Sequence, residues 1–167
     1  MMIREAMQED CINLTALSLQ VWFETYAVDG INTEVSTYGL SLFSQDYFEQ
    51  VLADPDCRML VCVEDGYLRG YILVNLESRF EGEENGFEIE KLYVQGPFRG
   101  RGIGRRLLDE VKIRYGTRFW LYTWVRNSSL DFYRHYGFRD IGQYDLMFES
   151  GAVENRVLAY DGEKGGQ

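Results

Sequence analysis

A glycine-rich turn between a predicted strand and a predicted helix is the feature that most constrains this chain. Residues 99–104 are Arg-Gly-Arg-Gly-Ile-Gly, so glycine stands at every second position. Glycine allows a tight turn and lets the backbone come close to a ligand. The first amides of the following helix have no partner within the helix, and together with the helix dipole they favour an anion. The turn therefore predicts an anion site where a strand passes into a helix.

Arginine side chains at and after the turn add positive charge. Residues 99–118 carry seven basic and two acidic side chains, although the 167-residue chain has a net charge of -10. A guanidinium suits phosphate geometry. The spacing does not match a dinucleotide fingerprint, which would need glycine where this chain has Arg105. It does not match a P-loop either. The structural alternative is a glycine-rich connection followed by a solvated basic helix.

Hydrophobic periodicity predicts the elements on either side of the turn. The fold class that follows is α/β, with a mixed, mostly antiparallel twisted sheet of about seven strands flanked by helices. The pair Asp65-Gly66 predicts the turn of a hairpin. Strands are predicted near 3–6, 59–63, 67–76, 87–94, 119–124, 139–148 and 154–160, and helices near 9–26, 33–53 (one or two), 103–115 and 127–136.

Chain length predicts one domain over residues 1–160, followed by a polar tail at 161–167. The last predicted hairpin carries Phe148 and Val157. These side chains leave two alternatives open, a homodimer edge or an ordinary core strand.

Composition argues against several classes of protein. A net charge of -10 disfavours a phosphate-neutralising nucleic-acid surface and a basic membrane-surface binder. The three cysteines have neither zinc-finger nor redox spacing, and no secretory signal opens the chain, so we expect a cytoplasmic protein. The single histidine, His135, gives no support to a Ser-His-Asp triad or a multi-histidine metal site, so we expect no metal.

Two motifs resemble those of the GNAT superfamily of acetyl-CoA-dependent N-acetyltransferases. Residues 99–104 match that family's R/Q-x-x-G-x-G/A pattern, which follows a strand. A second signature, an Asn followed by an aromatic-Tyr pair and then Gly-Phe, is matched by Asn127, Phe132-Tyr133 and Gly137-Phe138. The interval from Asn127 to Tyr133 is one residue shorter than the common family spacing. The resemblance covers nearly the full chain and implies the fold, acetyl-CoA as acetyl donor, and acetyl transfer.

The resemblance also implies which residues hold acetyl-CoA. Backbone groups of Leu92, Tyr93 and Val94 would pair with the pantetheine arm like an added strand, and Asn127 would give a further contact. Bacterial polyamine and related small-amine acetyltransferases look closest. The residues implied for the pyrophosphate are Arg99, Gly100, Arg101, Gly102, Ile103, Gly104 and Arg105.

Direct attack of an amine on a thioester needs a base and an acid. A primary amine with a pKa of about 10.4 is mostly protonated at neutral pH. Glu88 and Glu90, two residues apart on a predicted strand, share one face and are the candidate bases, with a water chain as the alternative. Tyr133 matches the family's acid position and would protonate the departing thiolate, with Tyr136 as a second choice.

The acceptor is suggested by charge. Residues 1–57 hold ten acidic side chains and one basic one, Arg4, so we expect a small cationic amine or polyamine, steered by this negative segment. A solvated acidic face is the alternative reading of the segment. For the whole chain, the alternatives are a protein N-terminal or lysine acetyltransferase, a catalytically silent acyl-CoA-binding sensor, and a different phosphate-ligand protein that shares only the turn.

Overall fold

A computed structural model describes residues 1–162 of the chain. From residue 163 onward, the predicted polar tail lies outside the described residues. The helices are α1 (Cys11–Tyr26), α2 (Thr33–Leu42), α3 (Gln45–Ala53), α4 (Ile103–Arg114) and α5 (Ser129–Tyr136). The strands are β1 (Met2–Glu5), β2 (Cys57–Glu64), β3 (Tyr67–Asn75), β4 (Phe87–Val94), β5 (Phe119–Trp124), β6 (Arg139–Phe148) and β7 (Gly151–Tyr160).

Within residues 1–162, seven strands form one open sheet in the order β1-β2-β3-β4-β5-β7-β6. The pairs β1/β2, β5/β7 and β6/β7 are antiparallel, whereas β4 and β5 run parallel. This confirms the predicted fold class, a mixed and mostly antiparallel sheet accompanied by helices. No helix within residues 1–162 is both long and apolar enough to cross a membrane.

The chain divides into two compact units. The first unit comprises Met1–Val74 and Lys91–Glu110. The second unit comprises Asn75–Glu90 and the described chain from Val111 onward. Each unit has its own buried cluster of apolar side chains.

The core of the first unit forms around the apolar face of α1. Leu14, Leu17 and Val21 are buried there, as the helical period predicts. Residues 33–53 form two helices, because Ser44 interrupts the run and caps α3: its Oγ accepts the N–H of Tyr47 at 3.0 Å. The predicted hairpin turn is confirmed, since Asp65 and Gly66 have φ of 52° and 82°, the left-handed pair that a type I′ turn needs.

The core of the second unit is aromatic. Phe119 stacks on Tyr160 with ring centroids 5.0 Å apart and lies 5.7 Å from both Phe87 and Phe138. Val157 is fully buried in the neighbouring cluster with Trp120. For Val157, the structure therefore supports an ordinary core strand rather than a homodimer edge.

Among the element boundaries that differ from those expected, two have a clear physical cause. Helix α5 begins at Ser129 rather than Asn127, because the Asn127 side chain accepts the Ser129 N–H at 2.9 Å and caps the helix from outside. Strand β7 begins at Gly151 rather than 154. Gly151, with φ of 131°, turns the chain tightly, so the ladder to β6 already starts at the pair Phe148–Gly151.

Candidate active site

The glycine-rich turn, in the first unit, is open on its outer side. Gly100 and Gly102 have φ of 78° and 83°, a region that favours glycine, and a Cβ added at either would meet no heavy atom within 4 Å. The first hydrogen bond of α4 runs from the Arg106 N–H to the Gly102 carbonyl at 3.0 Å. The amides of Ile103 and Gly104 therefore lie at the helix N-terminus, where the helix itself supplies no acceptor. This geometry suits an anion.

The side chains of Arg99 and Arg101 lie in different surroundings. The Arg99 Nε donates to the Val94 carbonyl at 3.1 Å, and its Nη2 lies 3.5 Å from Glu24 Oε2. Arg101 lies over the Phe98 ring, 5.1 Å from the centroid. Arg99 is thus directed at the end of β4 and at a carboxylate of α1.

The end of β4 is fixed by close packing within the first unit. A Cβ at Gly70, on β3, would lie 2.8 Å from the Tyr93 carbonyl oxygen and 3.3 Å from the Val94 Cα. Glycine at position 70 therefore allows β3 and this end of β4 to approach closely. The Tyr93 ring lies 5.6 Å from that of Tyr71, and Leu92 is half-buried.

The two candidate bases lie in the second unit, on the first half of β4. Glu88 is 8% exposed, and its Oε1 accepts a hydrogen bond from Ser78 Oγ at 2.8 Å. Glu90 is half-buried and accepts from Asn75 Nδ2 at 3.2 Å. The parallel ladder to β5 pairs Phe87 with Phe119 and Glu88 with Trp120.

The end of β3, at Asn75, and the connection that follows it, at Ser78, therefore support one carboxylate each. The Trp120 Nε1 also donates to the Ser78 carbonyl at 3.3 Å, which fixes this connection against β5. Sequence reasoning identified Glu88 and Glu90 but not Ser78 or Asn75. A single polar residue at the end of a strand, such as Asn75, or in an irregular connection, such as Ser78, follows no period, so the sequence carried no signal for them.

Tyr133 lies on α5 and is 7% exposed. Its ring packs against Phe132 and Phe138, each with the centroid 5.3 Å away. Burial raises the pKa of the Tyr133 phenol, and a hydrogen bond with the Ser129 side chain opposes that shift. The Ser129 Oγ also donates to Asn127 Oδ1 at 2.8 Å. Ser129, one helical turn before Tyr133, thus holds the Asn127 side chain.

Other titratable groups near these residues have plain structural surroundings. His135 is exposed. The Tyr136 ring lies 5.0 Å from Lys112 Nζ. Among residues 1–162 there is no cluster of three or more His, Cys, Asp or Glu side chains that could hold a metal ion.

The strand order, with a glycine-rich turn opening α4, defines an acyl-CoA N-acyltransferase fold. The model of the acetyltransferase (GNAT) family matches residues 19–138, and the chain belongs to this family. The protein is accordingly an acetyl-CoA-dependent acetyltransferase.

Relatives and solved structures agree with this assignment. An uncharacterized N-acetyltransferase in the pepI 3′ region of Lactobacillus delbrueckii subsp. lactis is 24% identical over 133 residues, 76% of this chain and 77% of that protein. The IAA acetyltransferase of Azospirillum brasilense is 34% identical over 101 residues, 57% of this chain and 63% of that protein. The PaiA N-acetyltransferase of Thermoplasma acidophilum, solved in complex with coenzyme A, has a TM-score of 0.72 at 21% identity, covering 93% of this chain and 96% of that one.

Proposed function

We propose that this acetyltransferase transfers the acetyl group of acetyl-CoA to a small cationic amine, by direct attack in a ternary complex. The observation that carries the proposal is the open glycine-rich turn at the start of α4, with Gly100 and Gly102 in left-handed conformation. A cofactor pyrophosphate suits such a turn, because unpartnered amides and the helix dipole both favour an anion.

The residues present fit acetyl-CoA. The amides of Ile103 and Gly104 would hold the pyrophosphate, with Arg101 and Arg105 adding positive charge. Backbone groups of 92–94 would pair with the pantetheine arm as an added strand does. In support, the ladder between β4 and β5 covers Phe87 and Glu88, before this segment begins. Arg99 would stabilise the turn itself through the Val94 carbonyl.

Acetyl-CoA supplies a thioester whose carbonyl carbon the amine attacks, and the chain has to move two protons. Glu88 would take the proton of the attacking amine, directly or through a water, and Glu90 is the alternative. The Ser78 hydroxyl supports this assignment because it fixes the buried Glu88 carboxylate. Tyr133 would donate its phenolic proton to the departing thiolate, since a thiol with a pKa of about 8.5 needs a weak acid nearby.

The charge and aromatic content of the first helices support a cationic acceptor, such as a polyamine. Residues 1–57 carry ten acidic side chains and one basic one. Around Trp22, the ring centroids of Tyr26 and Tyr38 lie at 4.2 and 4.9 Å. Burial raises the pKa of Tyr26 to about 12, so this phenol stays neutral at physiological pH. A negative segment of this kind raises the encounter rate of cations.

A panel of acceptors tests the proposal. Polyamines, amino sugars, amino-acid amides and peptides are assayed for release of free coenzyme A from acetyl-CoA, each at low and high salt. We expect the highest kcat/KM with a polyamine or another small cation, and a fall in kcat/KM as salt screens the charge. Preference for peptides would support the protein acetyltransferase alternative. Binding of acetyl-CoA without turnover of any acceptor would support the silent sensor.

A further inference from the structure

Ser78 contacts two neighbouring strands of the second unit at once. Its hydroxyl donates to Glu88 Oε1 at 2.8 Å, and its carbonyl accepts the Trp120 Nε1–H at 3.3 Å. Glu88 lies on β4 and Trp120 on β5, and the parallel ladder pairs these two residues. Ser78 therefore holds the Glu88 side chain and is itself held by the residue beside Glu88 in the sheet.

The connection that carries Ser78 is fixed by further contacts within the second unit. Asn85 Nδ2 donates to the Phe80 carbonyl at 3.0 Å. The Phe80 ring packs on Trp120 with the centroids 5.5 Å apart, and a Cβ added at Gly142 would lie 3.2 Å from the Phe80 Cζ. Because the chain is packed two residues after Ser78, the fold itself sets the position of the Ser78 hydroxyl.

A carboxylate that acts as a base has to be ionised and correctly placed. Glu88 is 8% exposed, and burial disfavours a charge unless hydrogen bonds compensate for the lost water. A hydroxyl that donates to a carboxylate forms a charge-assisted hydrogen bond, which favours the ionised form. The same bond restricts the side chain, and a base has to lie within about 3 Å of the proton's nitrogen or of one bridging water. Ser78 meets both needs.

We propose that Ser78 is a positioning residue for acetyl transfer, whose hydroxyl keeps the Glu88 carboxylate ionised and oriented for proton abstraction. The proposal rests on the proposed function, in which Glu88 is the base. Glu88 takes one proton from the acceptor ammonium, and the electron pair of that N–H bond then forms the bond to the acetyl carbon. The second proton of the nitrogen leaves to solvent, and the departing thiolate takes the proton of Tyr133, which solvent replaces. Ser78 keeps its own proton throughout.

Substitutions at positions 78 and 88 test this. The enzyme and the variants S78A, S78T, S128A, E88Q and S78A/E88Q are compared for kcat and KM with the best acceptor of the panel, and for acetyl-CoA Kd by calorimetry. We expect S78A to lower kcat about 10- to 100-fold, the effect of one hydrogen bond to a charged group. The acetyl-CoA Kd should stay within about twofold, because Glu88 acts on the acceptor and not on the donor. S78T keeps a hydroxyl and should restore most of kcat.

The pH of the assay separates a positioning role from a merely structural one. At pH 7 an amine with a pKa of about 10.4 has to lose a proton before it attacks, whereas near pH 10 a substantial fraction is already neutral. The loss of kcat/KM in S78A, relative to the unaltered enzyme at the same pH, should therefore shrink between pH 7 and pH 10. In the double variant, S78A should cause no further loss beyond E88Q, since the hydroxyl acts only through the carboxylate.

S128A is the matched control. Ser128 is exposed and makes no side-chain cap to α5, so the kcat of S128A should equal that of the unaltered enzyme. Should S78A fail to fold, S78C, which has a similar size and is only a weak donor, gives the same comparison.

The outcomes separate this proposal from the proposed function. An unchanged kcat in S78A, an equal loss at pH 7 and pH 10, failure of S78T to restore kcat, or a loss in S78A that multiplies with that of E88Q would overturn the role of Ser78 while leaving Glu88 as the base. An unchanged kcat in E88Q would contradict the assignment of the base to Glu88. No turnover of any acceptor by the unaltered enzyme would contradict the proposed function itself.

Discussion

Single glycines in the left-handed region have different roles in this molecule. Gly102 has φ of 83°, and Gly66, in the β2–β3 hairpin turn, has φ of 82°; neither has a heavy atom within 4 Å of an added Cβ. The backbone strain of a substitution is therefore the same at both sites. Only Gly102 lies in the turn that we propose to bind acetyl-CoA. A comparison of substitutions at Gly102 and Gly66 therefore separates the effect of backbone strain from the effect on ligand binding.

We predict that Gly102→Ala raises the Kd for acetyl-CoA at least about tenfold, because the methyl group occupies the space through which the pyrophosphate approaches the amides. Both Gly102→Ala and Gly66→Ala should lower the free energy of unfolding by about 1–2 kcal/mol, the cost of a left-handed conformation. Calorimetric titration with acetyl-CoA and chemical denaturation measure the two effects. Equal acetyl-CoA Kd values for the two variants would exclude close approach of the ligand at Gly102.

The ion pair of Asp10 and Arg4 ties β1 to the start of α1. Arg4 donates from Nη1 to Oδ2 at 2.8 Å and from Nη2 to Oδ1 at 2.9 Å, and the Met7 N–H donates to Oδ2 at 2.7 Å. The hydrogen bonds from Arg4 hold the pKa of the Asp10 carboxyl below its usual range. A depressed pKa means that this pair stabilises the fold above the unfolded pKa of aspartate, about 3.9.

We predict that Asp10→Asn lowers the free energy of unfolding at pH 7 by about 1–3 kcal/mol, since it removes charge-assisted hydrogen bonds. Below pH of about 3.9 the difference from the unaltered protein should shrink, because the native carboxyl itself becomes protonated as the pH falls through its folded pKa. Urea denaturation from pH 7 down to pH 3 measures this, with Asp29→Asn, at an exposed position, as control. A difference that stays constant over this range would contradict the assignment.

At the scale of elements, α1 and α2 meet at a position where only glycine fits. A Cβ on Gly39 would lie 2.6 Å from Trp22 Cδ1 and 2.7 Å from its Nε1. The Trp22 Nε1 in turn donates to the Val35 carbonyl at 3.1 Å, so the indole is held against the first turn of α2. Shifting the ring to make room would strain this hydrogen bond.

Gly39→Ala is therefore predicted to destabilise the protein by about 1–3 kcal/mol through overpacking, although alanine favours a helix by about 1 kcal/mol. The neighbouring Leu40 is 60% exposed, and Leu40→Ala should change stability by no more than about 0.5 kcal/mol. Thermal and chemical denaturation of the two variants measure the difference. A Gly39→Ala protein as stable as the unaltered one would show that the indole moves freely.

Elements with a strong hydrophobic period were predictable from sequence. Strand β4 has the predicted bounds, and Leu107, Leu108 and Val111 of α4, which recur with the helical period, are buried. Boundaries that depend on side-chain capping were less predictable, as at α5, which begins at Ser129 rather than at Asn127, because the Asn127 side chain accepts the Ser129 N–H. A glycine such as Gly39 within a helix indicates nothing about its neighbour until the packing is known.

The candidate site was predictable to the extent that motifs mark it. The turn at 99–104, the carboxylates of β4 and Tyr133 all follow from spacing or from the family pattern. The supporting hydroxyls do not. Ser78, whose hydroxyl donates to Glu88, is far from any motif, and Ser129, whose hydroxyl donates to Asn127, lies between two motif residues.

At the scale of the whole molecule, the net charge of -10 is the sum of two opposed segments. Residues 99–118 carry an excess of five basic side chains, and residues 1–57 an excess of nine acidic ones. The basic segment begins at the turn assigned to the anionic acetyl donor, and the acidic segment suits a cationic acceptor. One chain thus presents complementary charge to both proposed substrates.

The central claim is that the turn binds the acetyl donor and that Tyr133 supplies the proton for the thiolate. The kcat and acetyl-CoA Kd of Tyr133→Phe, with Tyr136→Phe as the control for loss of a phenol on the same helix, test it most directly. We predict a kcat reduced by about 10²–10⁴, the usual contribution of a positioned acid, with an unchanged Kd. A kcat equal to that of the unaltered enzyme would remove Tyr133 from the reaction and contradict the account.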